Sequence, residues 1–305
     1  MLNHSANGLV VYHFESLSRD DLVHAIFTRL GGVSQGPFAT LNTGHTVGDS
    51  ETAVAENHAH IYDYLDLSPQ RVATAHLVHS NHIAVIGAEQ GGQVIARSDG
   101  LATNTPGLAL MLRFADCQPI LLYDPRHHAL ALVHAGWRGV AQGIAARAVE
   151  TMEAAFGSQP RDLLAGLGPA IGPCCYTVGD EVAAAMGYAL PDWQAAMQPL
   201  PLDEGWRLDL SAANAQQLAA AGVRHIEHAD LCTSCHNDLF FSHRAENGRT
   251  GRFAVVAYLR PRDSVSQGQD AERPKDEPRA PSASPPGSLN PPGFPPFQEP
   301  LGGEK

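Results

Sequence analysis

Half of the prolines in this chain lie in its last 45 residues, and this uneven distribution limits where a fold can form. Eleven of the 22 prolines fall between residues 261 and 305, several of them in pairs. Few apolar side chains in this stretch could offset the entropy lost on ordering, and its composition is typical of disordered or polyproline-like segments. The sequence therefore predicts a folded domain over residues 1–260 and a disordered, proline-rich tail over residues 261–305.

The first 260 residues show the hydrophobic patterns of strands with helices dispersed among them. β-Branched and aromatic runs predict strands over residues 9–12, 23–27, 82–87, 108–112, 119–123, 130–134, 163–167 and 252–259. Helical spacing predicts helices over residues 51–64, 140–156, 179–186 and 211–221, the first capped by Asp49 or Ser50. Because strands and helices do not alternate regularly, we expect an α+β fold, a single compact domain in which helices pack on mixed sheets.

The charge and the cysteine content of the chain limit which binding partners and which cellular compartment are expected. The chain has 20 basic and 32 acidic residues, a formal net charge of -12 at pH 7. Nucleic acids are bound by clustered Lys and Arg, so this balance argues against a nucleic-acid partner. No signal-like segment opens the chain and no apolar stretch approaches the roughly 20 residues that span a bilayer, so we expect a cytoplasmic protein with no membrane partner. Its five cysteines are then expected to be reduced.

Residues 114–120 combine a charge with a thiol between two predicted buried strands. Asp116 and Cys117 lie where the chain turns, and a charge in such a place is costly unless something uses or satisfies it. The alternative is a buried packing cysteine beside a capping aspartate.

Residues 133–139 place a histidine at the end of a predicted strand, just before a helix. His134 ends the strand, and two glycines allow a tight path that directs backbone donors and Arg138 towards an anion. The alternative is a glycine-rich connection with a core tryptophan.

Three histidines within seven residues supply further candidate ligands. If this segment is extended, His79 faces away from His76 and His82, because side chains alternate along a strand. Spacing alone does not decide which of them binds a metal, and surface histidines are the commoner case. One cysteine and two histidines from separate segments would nevertheless suit zinc in a catalytic site with one open position. Sulfur with imidazole also suits copper.

Several ordered motifs between residues 23 and 259 resemble those of one known family. They are residues 27–34, 41–42, 47–49, 98–100, 115–119, 134–139, 168–176, 239–244 and 248–252. On these motifs the chain resembles the bacterial YfiH-like proteins, also called the laccase-domain or multicopper polyphenol oxidase family and now viewed as purine nucleoside phosphorylases.

The resemblance implies a zinc site and a nucleoside substrate. The ligands correspond to His79, Cys117 and His134, although Leu77-Val78-His79-Ser80 replaces the Gln-Val-His-Gly of the family pattern. The implied activity is phosphorolysis of adenosine, inosine, guanosine and methylthioadenosine, with deamination of adenosine as a second reaction. The implied partners are purine nucleosides and phosphate.

The chemistry of these reactions suggests roles for four further residues. Arg29 and Arg138 could supply positive charge to phosphate and the leaving purine. Zinc lowers the pKa of bound water to about 7, which would provide the nucleophile for deamination. Asp116 could shuttle protons or hold a ligand or loop in place. Asn42 could bind the ribose or base, or could form a turn.

Other functions are compatible with the same residues. Cys117 and His134 could be the nucleophile and base of a cysteine hydrolase. A copper-dependent polyphenol oxidase would need more clustered histidines than three, and a non-catalytic nucleoside-binding protein would not release free base. Cys232 and Cys235, followed by His236, have a spacing that suits zinc, but a second pair is needed unless Cys174 and Cys175 fold against them. The sequence favours a reduced thiol pair.

Overall fold

The computed structural model of the chain describes residues 1–6, 8–201 and 204–262. The strands in these ranges are β1 (Leu2–Ala6), β2 (Leu9–His13), β3 (Leu22–Phe27), β4 (Val72–Ala75), β5 (Ile83–Val85), β6 (Val94–Ile95), β7 (Gly100–Thr103), β8 (Ala109–Phe114), β9 (Gln118–Asp124), β10 (Ala129–Ala135), β11 (Leu164–Leu167), β12 (Thr177–Val178), β13 (Met197–Pro199), β14 (Trp206–Leu208), β15 (His225–His228) and β16 (Phe253–Leu259). The helices are α1 (Glu51–Leu65), α2 (Trp137–Ala141), α3 (Ile144–Phe156), α4 (Asp180–Ala189), α5 (Trp193–Ala196) and α6 (Leu210–Ala220). The predicted tail, apart from its first two residues, lies outside the described residues.

These strands form two large mixed sheets and one small sheet. The first sheet has the strand order β1-β2-β3-β16-β8-β4-β6, in which only β4 pairs in parallel with its two neighbours. The second sheet has the order β15-β11-β9-β10-β7-β5, with parallel pairs at its two edges and antiparallel pairs in its centre. The small sheet, β12-β14-β13, is antiparallel.

The two large sheets pack face to face through alternate residues of their central strands. Leu112 of β8 belongs to the same buried cluster as Leu121 of β9 and Leu132 of β10. Because side chains alternate along a strand, the neighbouring residues Ile120 and Val133 face the other way and pack in a cluster with α3 and α6. Strands β9 and β10 are thus buried on both faces, and every one of their residues is buried.

The outer face of the first sheet is covered by a helix. Ile61 and Leu65 of α1 pack in one cluster with Phe27 of β3 and Met111 of β8. The layers therefore run helix, sheet, sheet, helix, which confirms the predicted α+β fold with helices packed on mixed sheets.

Of the four predicted helices, three form at their expected positions and one does not, and the short helix α5 was not predicted. Helix α1 begins where predicted, and the Ser50 hydroxyl caps it by accepting a hydrogen bond from Ala53 N. The single helix predicted over residues 140–156 is wrong, because the chain forms α2 and α3 instead. Gly143, with φ at +76°, separates them in a left-handed conformation that ends a helix and favours glycine. Within the described ranges, no helix has the length and apolar character needed to cross a membrane.

We predict that Leu132→Ala lowers the free energy of unfolding by about 2–5 kcal/mol, because it leaves a cavity between the two sheets. Leu132 is fully buried. The matched control is Leu2→Ala in β1, where Leu2 is 54% exposed and the change should stay within about 0.5 kcal/mol. Urea unfolding of both variants measures the difference, and equal losses would contradict the packing described here.

Candidate metal centre

Two adjacent strands bring a thiol and an imidazole to the same end of the second sheet. Cys117 lies in the turn between β8 and β9, and His134 is the penultimate residue of β10. In the antiparallel ladder His134 lies opposite Pro119, two residues after Cys117. His79 approaches from the loop between β4 and β5, with Nε2 4.0 Å from Cys117 Sγ. One ligand atom from each of the three residues lies within 4.8 Å of the others.

The loop that holds His79 is not the extended segment considered in the sequence. Residues 76–82 are irregular, and His79 has φ at +59°, so strand alternation does not decide where His76, His79 and His82 point. The structure brings only His79 of the three into the group with Cys117 and His134.

Asp99, for which local sequence patterns indicate no role, fixes this loop. Its fully buried carboxylate accepts hydrogen bonds from the backbone N–H groups of Val78, His79 and Ser80 and from the Ser80 hydroxyl. It also lies 3.3 Å from His134 Nδ1. When Nδ1 donates to a carboxylate, the other ring nitrogen is left to bind a metal. The sequence contained a signal, since Asp99 belongs to the motif at residues 98–100.

The space between the ligands requires a glycine. A Cβ at Gly136 would lie 2.8 Å from Cys117 Sγ and 3.2 Å from His79 Cδ2. A side chain here would therefore displace two of the three candidate ligands. Two imidazoles and one thiol in such a compact, cradled arrangement fit a borderline-soft cation with a fourth position left open.

Electrostatic interactions among the three candidate ligands and Asp99 favour the thiolate form of Cys117 and the protonated form of His134. Burial by itself raises the pKa of the Cys117 thiol, but the facing His134 and His79 imidazoles lower it to about 6. Burial by itself lowers the pKa of His134, whereas Cys117 and Asp99 raise it to about 9. The Asp99 carboxyl is desolvated, yet hydrogen bonds from His134 and Ser80 hold its pKa well below the ordinary value. A cation that binds here would replace the proton shared by the thiolate and the imidazole.

Arg29, the first predicted anion binder, is already engaged by the protein. Its guanidinium donates to the carbonyl oxygens of Ala39 and Asn237 and forms an ion pair with Glu246 at 3.2 Å. It also stacks over the Phe241 ring at 4.3 Å. Through these contacts Arg29 holds three segments of the chain together. Its phosphate-binding role stays a prediction.

Arg138, the second predicted anion binder, is placed differently. It is exposed in the first turn of α2, and its guanidinium carbon lies 4.3 Å from the centre of the Trp137 ring. Among the described residues no acidic partner engages it. Arg252, for which the sequence indicates no role, donates from its guanidinium to the Thr250 and Gly251 carbonyl oxygens. Burial lowers the pKa of Arg252, and the charges of Cys117 and Asp116 oppose that shift.

Asp116 is held tightly beside Cys117. It adopts φ at +88°, a conformation rare for residues other than glycine. One carboxylate oxygen accepts from the Thr233 hydroxyl at 2.7 Å and the other from Arg244 N at 2.7 Å. These contacts favour the loop-holding alternative, and proton transfer by Asp116 stays a prediction.

Asn42 has no exposed surface in the structure. Its amide donates to Asp49 and to the Gly44 carbonyl, and its carbonyl accepts from the N–H groups of Gly44 and Arg252. Because these partners engage both the nitrogen and the oxygen of the side-chain amide, the structure favours the turn-forming role over the predicted substrate contact.

Comparison with known proteins identifies the family to which the chain belongs. Residues 23–260 match the family model described as multi-copper polyphenol oxidoreductase laccase. The chain is 40% identical over 250 residues to "Purine nucleoside phosphorylase YlmD" of Geobacillus stearothermophilus, which covers 78% of this chain and 89% of the relative. It is 38% identical over 243 residues to "Purine nucleoside phosphorylase Cgl2154/cg2365" of Corynebacterium glutamicum, over 79% and 96% of the two chains.

Solved structures agree with the sequence relatives. The crystal structure of YlmD from Geobacillus stearothermophilus is similar with a TM-score of 0.79 and 37% identity, over 85% of this chain and 98% of that chain. The crystal structure of Bacillus licheniformis protein YfiH is similar with a TM-score of 0.76 and 36% identity, over 84% and 97%. The matched region contains His79, Cys117 and His134. The chain therefore belongs to the YfiH family of multi-copper polyphenol oxidoreductase laccase proteins.

Proposed function

We propose that the chain is a zinc-dependent purine nucleoside phosphorylase that cleaves adenosine, inosine, guanosine and methylthioadenosine and also deaminates adenosine. The observation that carries this proposal is the approach of His79, Cys117 and His134 to within 4.8 Å of one another. The names of the relatives, which align over most of both chains, support the substrate class.

The donor set favours zinc over copper chemistry. When bound, zinc would supply a Lewis acid with one open coordination position. The family description contains the word multi-copper, but the groups able to hold a metal in the described residues contain two histidines in all. Multicopper oxidation requires more imidazole ligands than this, and copper at a single site would not provide it.

The surrounding residues meet the needs of phosphorolysis. Phosphate attacks the ribose carbon C1′ while the bond from C1′ to the purine breaks, so the site must hold an anion and stabilise a leaving base. We assign phosphate binding to Arg138, which is exposed, and to Arg252, which is partly exposed, donates to the Thr250 and Gly251 carbonyl oxygens through one guanidinium nitrogen, and interacts electrostatically with Cys117. Asp116 and Arg29, whose side chains are bound by other parts of the protein, are assigned positioning roles.

A cysteine hydrolase is the rival that one observation favours. Cys117, His134 and Asp99 follow the order of a thiol nucleophile, its base and the carboxylate that orients the base. The second imidazole, His79, lies 4.0 Å from the same sulfur and has no role in such a triad. The two functions respond to zinc in opposite ways, because zinc would activate the phosphorylase and would block the thiolate of the hydrolase.

We predict that the zinc-loaded protein releases hypoxanthine from inosine only when phosphate is present. Cys117→Ala and His134→Ala should each abolish this release, because each removes one ligand of the metal. Chromatography of free base, with and without phosphate, measures the reaction, and a parallel assay for ammonia from adenosine tests deamination. Unchanged hypoxanthine release by Cys117→Ala would show that the site is assigned wrongly.

A second prediction concerns the carboxylate behind the ligands. Asp99→Asn should weaken zinc binding at this site by about 10–100-fold, the usual cost of losing a partner that orients a metal ligand. The readout is the zinc concentration that half-protects Cys117 from alkylation, followed by mass spectrometry of the peptide that contains it. The matched control is Asp124→Asn, which alters another fully buried carboxylate paired with a histidine, His127, and should leave the protection of Cys117 unchanged.

A third prediction distinguishes Arg138 of α2 from Arg147 of α3, two exposed arginines on neighbouring helices. Arg138→Gln should raise the KM for phosphate about tenfold or more, since a hydrogen bond to a charged group is worth about 1.5–3 kcal/mol. The control is Arg147→Gln on α3, whose side chain pairs with Glu150 at the surface. Steady-state kinetics at varied phosphate concentration measure both KM values. An unchanged KM for phosphate in Arg138→Gln as well as in Arg147→Gln would contradict the assignment of phosphate binding to Arg138.

A further inference from the structure

The four cysteines outside the centre described above come together in one place. Cys174 and Cys175 lie in the turn after β11, and Cys232 and Cys235 lie in the turn after β15. The sequence favoured a reduced thiol pair for Cys232 and Cys235, because a second pair was needed to complete a metal site. The structure supplies that pair, and all four sulfur atoms lie within 4.8 Å of one another.

The spacing of the sulfur atoms fits a single tetrahedral ion. Zinc binds thiolates at about 2.3 Å, so four sulfurs around one ion would be about 3.8 Å apart. Cys235 Sγ lies 3.4 Å from the sulfurs of both Cys174 and Cys175. A disulfide requires about 2.05 Å, and a sulfur equally distant from two partners does not select one of them. All four cysteines are free thiols in this structure.

The backbone around the sulfurs is ordered by pairing between the two turns. Ala170 forms a parallel bridge with Cys232, and Thr233 N donates to the Ala170 carbonyl at 3.0 Å. Gly172 N donates to Cys232 Sγ at 3.2 Å, a contact that favours a thiolate. A Cβ at Gly172 would lie 3.3 Å from Cys232 Cβ, a tight contact, so glycine eases the close approach of the two turns.

We propose that Cys174, Cys175, Cys232 and Cys235 bind a second zinc ion with a structural role. Four thiolates select zinc or iron–sulfur chemistry, and sulfurs this close together leave room for one ion and not for a cluster. Four protein ligands also fill the tetrahedron, so no position remains for a substrate. The ion cross-links two turns that are about 60 residues apart in the chain.

The same two turns hold the residue that precedes Cys117. Ile171 N donates to the Asp116 carbonyl, and the Thr233 hydroxyl donates to the Asp116 carboxylate. Arg244, whose N–H binds the other carboxylate oxygen, also reaches the Cys175 carbonyl with its guanidinium at 3.5 Å. A zinc ion at the four cysteines would therefore stabilise the wall of the first centre without contacting the substrate.

Metal analysis of the full chain tests this proposal. Zinc per chain is measured by mass spectrometry for the parent protein, for Cys117→Ser and for the double variant Cys174→Ser/Cys235→Ser. We expect two equivalents in the parent and one in each variant. His236→Ala is the control for the turn, because His236 adjoins Cys235 but is outside the four-sulfur group, and it should retain both ions.

Spectroscopy of Cys117→Ser isolates the second site without changing any of its ligands. X-ray absorption at the zinc edge should show four sulfur neighbours at about 2.3 Å. No zinc in this variant, a nitrogen- or oxygen-rich shell, disulfides among the four cysteines, or iron with labile sulfide would each overturn the proposal. If the first centre binds no zinc, the parent and Cys117→Ser will both contain one equivalent, so failure of the proposed phosphorylase is distinguishable from failure of this site.

Discussion

The hydrogen bonds to the buried Asp99 carboxylate are the interactions on which the candidate centre depends. A buried carboxylate without partners costs several kcal/mol, and this one is compensated by three backbone N–H groups, one hydroxyl and the His134 ring. The same bonds hold His79 in a left-handed conformation that costs about 1–2 kcal/mol on its own. One side chain therefore orients a ligand on a strand and fixes a ligand on a loop.

The location of the centre follows from the rigidity of β9 and β10. Both strands are buried on two faces, one against the first sheet and the other against α3 and α6. Packing of this kind leaves Cys117 and His134 little freedom, which a metal site with a preferred geometry requires. Cys117 directly precedes β9, whereas His79 comes from the longer irregular loop over residues 76–82, and that loop is the one that Asp99 binds.

Local patterns in the sequence predicted the central strands and the first helix, but they could not predict contacts between residues that are distant in the chain. The apolar runs of β9 and β10 and the Ser50 cap of α1 are local features, so their positions were predicted well. The Asp99–His134 and Asp116–Thr233 contacts join residues 35 and 117 positions apart, and no pattern indicates them. In the sequence, Arg29 and Arg138 are equivalent candidates for binding phosphate. They differ only in the folded structure, where Arg29 contacts the Asn237 carbonyl and Glu246.

Asp116 connects the two groups of candidate metal ligands. It adjoins Cys117 in the chain, and its left-handed conformation is held by Thr233, which lies next to Cys232. Strained residues of this type persist only where the surrounding structure imposes them. Because Ile171 N and the Thr233 hydroxyl, which bind Asp116, belong to the turns that meet at the four cysteines, the proposed second ion would also stiffen the turn that holds Cys117. The two groups thus form one mechanical unit, in which the proposed structural site would contribute to the geometry of the proposed reaction site.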